Sequence, residues 1–209
     1  MKGAEFITEE HSQEEIIGYC NTILTECQPF LQQCGRRWMW RGVRSQPNAF
    51  IHKKIRVANR KPKDTPGRLH KKFNAVFMKE HGAPFRNAMF SAGKPGAVDD
   101  YGRVYAVFPE GDFEFIWNPG VADLFGKWQE TYEPSHRVGE MEMSRMARLT
   151  KAEDKFIKKY VTGEYMNTNL EMALSSGNEI MVRGSGYYGI SRVVLEAHHD
   201  LITEMLYEK

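Results

Sequence analysis

Carboxylates are nearly missing from one stretch of this chain: from Arg36 to Lys72, thirteen lysines and arginines meet the lone acid Asp64. This local net of +12 leaves −10 for the rest of the molecule, against a total of +2. So polarised a field favours an anionic ligand near the segment, a nucleic acid or a phosphorylated cofactor; a solvated basic face is the plainer alternative. Cysteine is scarce too. Cys20, Cys27 and Cys34 are an odd number and cannot all pair, and the close pairs of a zinc site are missing, so buried thiols in a reducing compartment are expected. No run is apolar enough for a membrane span, and Met1–Glu5 opens without an apolar signal core, which predicts a soluble cytoplasmic protein with no membrane partner. Glycine-rich phosphate loops of the Walker or dinucleotide type, internal repeats and low-complexity tracts are absent.

What is present is globular composition: 41% hydrophobic, 27% charged and 12% aromatic over 209 residues, enough to bury one sizeable core. Ser12 with Glu15 forms a capping box ahead of Ile16, Cys20, Ile23 and Cys27, predicting an opening helix that Pro29 restarts. Alternation from Arg37 to Val43 reads as a strand. Thr65-Pro66 begins a helix carrying Leu69, Phe73 and Phe77, and Gly82 stops it. Arg86 to Ser91 reads as another strand. "VYAVFPEGDFEFIW" reads as a hairpin about Pro109–Asp112, and the runs 179–183 and 187–190 as a further strand pair about Gly184–Gly186. Asn118-Pro119 is expected to cap a short helix through Leu124 and Phe125, Thr150 with Glu153 to form a second capping box, and Ser191 to cap a last helix. Helices interspersed with short strands make an α+β domain.

Three strand-end positions carry chemistry: Arg41 in "WMWRGV", Ser91 in "RNAMFSAG" and Glu179 in "SGNEIMV". In this order they resemble the Arg-Ser-Glu signature of the ADP-ribosyltransferase superfamily, as seen in bacterial toxins and bacteriophage-encoded members, over roughly Arg36 to Arg192. The resemblance implies a split β-sandwich core with flanking helices, residues 1–35 as a helical segment packed on a domain over 36–209, and NAD as substrate with no metal. It implies Arg41 on the pyrophosphate, Gly42 admitting backbone close to the nicotinamide, Ser91 holding carboxylate or ribose, and Glu179 as the catalytic carboxylate. An arginine fork suits pyrophosphate through bidentate bonds. A preoriented carboxylate suits the oxocarbenium-like state formed when nicotinamide leaves. The loop from Ala92 to Arg103 corresponds to the family's phosphate and nicotinamide loop, with Tyr101 for stacking and Lys94 and Arg103 as cations.

The chain departs from the family in two places. Arginine-modifying members carry a second acid two residues before the catalytic one, where this chain has Gly177, so the expected acceptor is a protein or nucleic acid modified elsewhere than on arginine. "FSAG" also lacks the fuller Ser-Thr-Ser. Ser176 and Asn178 are the nearest polar groups for acceptor recognition. Taken singly, Arg41 also fits a cation snorkelling off Trp38 or Trp40, Ser91 ordinary turn chemistry and Glu179 a solvated charge. His198 and His199 diverge by about 100° on a helix and are not expected to share a metal. A competing expectation is a non-catalytic nucleic-acid-binding or virion-associated phage protein that uses segment 36–72, with Trp38, Trp40 and Phe50 stacking on bases. If phage-encoded, the protein would work in the host cytoplasm. A transferase acting on nucleic acid would join the two readings.

Overall fold

The computed structural model describes residues 11–44, 46–58, 60, 65–132 and 141–208. The chain begins where its capping box places it: Ser12 accepts from the Glu15 amide at 3.2 Å and opens α1 (Gln13–Glu26). Pro29 sits in the first turn of α2 (Gln28–Gln33), as expected from its preset φ. The described strands are β1 (Met39–Val43), β2 (Phe50–Lys54), β3 (Met89–Ala92), β4 (Arg103–Pro109), β5 (Glu114–Trp117), β6 (Glu179–Arg183) and β7 (Gly186–Ser191). They form one antiparallel sheet in the order β2-β7-β4-β1-β3-β6-β5.

This sheet has two parts. Four strands, β2-β7-β4-β1, meet three, β3-β6-β5, through the single register pair Trp40↔Ala92. Two links expected as hairpins carry the chain between the parts instead. β4 pairs with β1 and β7 while β5 pairs with β6, so residues 110–113 cross from one part to the other. Likewise β6 pairs with β3 and β5, and β7 with β2 and β4. The two crossings run side by side: the Glu110 amide donates to the Gly186 carbonyl at 3.0 Å and the Ser185 hydroxyl to the Glu110 carbonyl at 3.3 Å. Glycines do bend the chain in both places, but neither strand pair forms a hairpin, because burial chose different partners. Tyr105, Ala106, Val107 and Phe108 are all fully buried, so β4 is covered on both faces and cannot serve as one arm of an exposed hairpin.

Helices close both sides. α1 and α2 join α7 (Arg192–Ala197) and α8 (His199–Tyr207) in the larger core, where Ile16, Cys20, Ile23, Cys27, Phe30 and Cys34 are fully buried. The cysteines are free, and burial pushes the Cys20 thiol up to about 11 and the Cys27 thiol up to about 12, as expected of thiols serving as small hydrophobes. On the other side α3 (Gly67–His81), α4 (Leu124–Thr131) and α5 (Glu142–Tyr160) bury Leu69, Phe73, Phe77, Trp128 and Phe156 against Ile116 and Met181. Each such side chain contributes roughly 1.5–3 kcal/mol through removal from water.

Several boundaries move. Arg86 lies in a 3₁₀ turn (Phe85–Asn87) ahead of β3, not in the strand. Asp123 caps α4 by accepting from the Gly126 amide, while Asn118 accepts from the Gly120 amide in a turn. Thr150 is interior to α5, its hydroxyl bonded to the Met146 carbonyl at 2.8 Å, because the preceding residues from Glu142 hold neither glycine nor proline to stop a helix. Glu153, expected to close that box, is 3% exposed and forms ion pairs with Arg68 and Lys72 at 2.9 Å each. Ser191 does cap α7, and His198 separates it from α8. Among the described residues no helix is long and apolar enough to cross a membrane.

Candidate active site

The two parts of the sheet meet at a cleft of about 460 Å³. Three consecutive strands, β1, β3 and β6, form its floor, spanning about 10 Å at the usual strand separation. Arg41, Ser91 and Glu179 each come from one of these strands, and all three line the cleft. The register explains the convergence. Ala92 pairs with Trp40 on one side and with Glu179 on the other, so the ends of all three strands come together at the seam.

Each side chain is held. The Arg41 guanidinium donates through Nη1 to the Phe90 carbonyl at 2.5 Å and lies over the Tyr187 ring at 5.8 Å. Ser91, 3% exposed, donates to the Ile180 carbonyl at 3.1 Å, and so ties β3 to β6 one residue beyond Glu179. The Glu179 amide donates to the Ala122 carbonyl at 2.7 Å, which sets its carboxyl beside Asp123. That carboxyl is 11% exposed and accepts from Arg86 Nη1 at 3.0 and 3.3 Å. Burial pushes it up to about 7; Asp123 adds to the rise and Arg86 opposes it.

Sequence reasoning missed Arg86, Arg60, Asp123 and His70, all of which line the cleft. Arg60 and Arg86 both sit on the Phe90 ring, 4.2 and 4.6 Å from its centroid. Arg60 donates to the Ala88 carbonyl, and burial lowers it to about 10, with Arg41 and Arg86 repelling its charge. His70 is 7% exposed, and its Nε2 lies 3.1 Å from both Asn87 Oδ1 and Asn74 Nδ2. Burial lowers its pKa, and Arg86 and Arg60 lower it further. The signal for Arg86 was hidden in a segment that reads as strand; Asp123 looked like an interior residue of a helix capped earlier.

The loop from Ala92 to Arg103 contributes unevenly. Tyr101, 52% exposed, lines the cleft. Gly42 lines it as well, but its missing side chain makes room for this loop: a Cβ there would meet the Val98 carbonyl oxygen at 2.3 Å and Tyr101 Cβ at 2.7 Å. Gly42→Ala is therefore expected to push the Val98–Tyr101 turn off β1, costing about 1–3 kcal/mol by overpacking. Thermal unfolding would show the loss, and unchanged stability would mean that the loop does not rest on β1. Arg103 donates to the Pro47 carbonyl and does not line the cleft. The Lys94 stem lies over Gly177, whose φ of +78 closes α6 (Leu170–Ser176). An acid at position 177 would be strained and would collide with that stem. Ser176 bonds the Ala173 carbonyl and accepts from the Asn178 amide, and Asn178 Nδ2 bonds the Asn118 and Pro119 carbonyls, which keeps both side chains in the turn before β6.

No group of three metal-ligating side chains occurs among the described residues. Chemically, the cleft offers a cation cluster next to two carboxyls, Glu179 largely buried and Asp123 half-buried, an arrangement suited to holding an anionic ligand. In comparisons with known proteins, no family model, no curated protein and no solved structure matches this chain.

Proposed function

We propose that this chain is an NAD-dependent mono-ADP-ribosyltransferase with an ADP-ribosyltransferase-like split β-sandwich, acting on a macromolecular acceptor at a group other than arginine. The observation that carries the reading is the convergence of Arg41, Ser91 and Glu179 on one cleft from three adjacent strands. Arg41 would hold the pyrophosphate. The bond between C1′ of the ribose and the nicotinamide nitrogen breaks, its electron pair leaving with nicotinamide, and the ribose ring oxygen shares the positive charge left on C1′. Glu179, ionised and already oriented, stabilises that charge. Ser91 keeps β3 and β6 in register beneath it. The acceptor nucleophile then bonds to C1′ and gives up a proton, which the neighbouring carboxylate Asp123 is placed to receive.

Glu179 must be ionised for this role, and burial holds it near 7. The rate is therefore expected to fall about tenfold per pH unit below that value and to level off above it. Measuring nicotinamide release from NAD across this range tests the proposal. The free protein's limb, seen in kcat/KM, should lie higher than the limb in kcat, because bound nicotinamide cation favours the carboxylate. Absence of any nicotinamide release at any pH would remove the proposal.

A further inference from the structure

We infer that the acceptor is a single-stranded nucleic acid, led into the cleft along Lys53, Lys54, Arg56 and Arg60; this rests on the transferase reading above. The cleft carries more positive charge than a dinucleotide neutralises. Arg41, Arg44, Arg60 and Arg86, four cations, stand against Asp123 and Glu179, two carboxylates when Glu179 is ionised for the reaction. NAD supplies two phosphate charges and brings a nicotinamide cation with them, so part of the cluster stays without a counter-ion. The hydrogen-bond inventory agrees. Arg41 Nε and Arg86 Nε are buried with no partner among the described residues, and buried donors of this kind are costly unless a ligand oxygen meets them.

The surplus continues outside the cleft. From Arg44 to Lys63 the sequence holds no acid. β2 is an edge strand, and six positions after its last residue Arg60 lines the cleft. Lys54 and Arg56 are exposed and Lys53 is half-buried, and no ion pair joins any of the three to a described residue. Lys61 and Lys63, also basic, lie outside the described residues. A run of cations close together in sequence matches a phosphate backbone better than a single phosphorylated side chain. At the inner end, Tyr101 and the half-buried Phe125 supply ring faces on which bases can stack.

The test uses the full chain and a short fluorescein-labelled single-stranded oligonucleotide, followed by anisotropy over a salt series without NAD. Binding should tighten at low salt. The triple variant Lys53→Gln, Lys54→Gln, Arg56→Gln should reduce the slope of log K against log salt by about 2, at roughly 0.7 per lost phosphate contact. With labelled NAD added, label should appear on the oligonucleotide. No affinity at low salt, an unchanged slope in the triple variant, or preference for a phosphorylated peptide over the oligonucleotide would each overturn the inference. Free ADP-ribose formed by a protein that does not bind the oligonucleotide would overturn this inference alone. Oligonucleotide binding without any NAD turnover would instead remove the transferase reading and leave a nucleic-acid surface.

Discussion

Glu179→Gln is expected to lower nicotinamide release from NAD by about 10²–10³-fold, the scale on which removing one preoriented charge-stabilising group acts. Glutamine keeps the shape and an oxygen for Arg86, but not the negative charge needed when C1′ becomes positive. The loss should fall on kcat, with KM little changed, because the charge appears only in the transition state. The acid limb near 7 should vanish with the group that titrates. Stability supplies an independent readout. A carboxyl held near 7 in the fold, against an ordinary value of 4.5, keeps a proton that the unfolded chain releases. Wild-type stability should therefore fall as pH rises from about 4.5 to 7, by roughly 3 kcal/mol at most, and the variant should lack that fall. Turnover within a few-fold of wild type would end the enzymatic assignment.

Arg86→Met should have the largest effect on the fold. Arg86 is 6% exposed and bonded to Glu179 and Thr65, and its guanidinium rests on the Phe90 and Phe73 rings. Removing it leaves the Glu179 charge buried beside Asp123 with no cation bonded to it. Breaking a buried pair in this way costs about 3–5 kcal/mol. The cost should be fully expressed only well above pH 7, where Glu179 is ionised in the wild type. Near pH 5 the carboxyl is protonated with or without Arg86, and the cost should shrink to about 1–3 kcal/mol for lost hydrogen bonds. Urea unfolding at the two ends of this range measures the difference. Equal losses at both pH values would show that the pair is not electrostatically coupled.

The elements whose signals are local were legible. α1 begins at its capping box, α2 at its proline, α3 ends at Gly82 with a φ of +72, and α7 begins at Ser191. In each case the deciding groups lie within four residues of one another. The three strand-end residues could be named for a similar reason, since residue type and order carry the resemblance that singled them out. What failed was pairing. The run 104–117 has the turn residues of a hairpin, yet β4 and β5 lie in different parts of the sheet, because each finds more apolar surface to cover with distant strands than with the other.

The sequence by itself determined where α1, α2 and α7 start, that the cysteines are buried thiols, and which arginine, serine and glutamate were worth attention, because capping, periodicity and side-chain chemistry act over short distances. Tertiary structure alone decided that these three share a cleft, and that Arg60, Arg86, His70 and Asp123 join them. It also decided that Glu179 is held near neutrality. Those outcomes depend on strand order and desolvation, which arise from contacts between residues far apart in sequence, such as the Arg86–Glu179 pair, 93 positions apart.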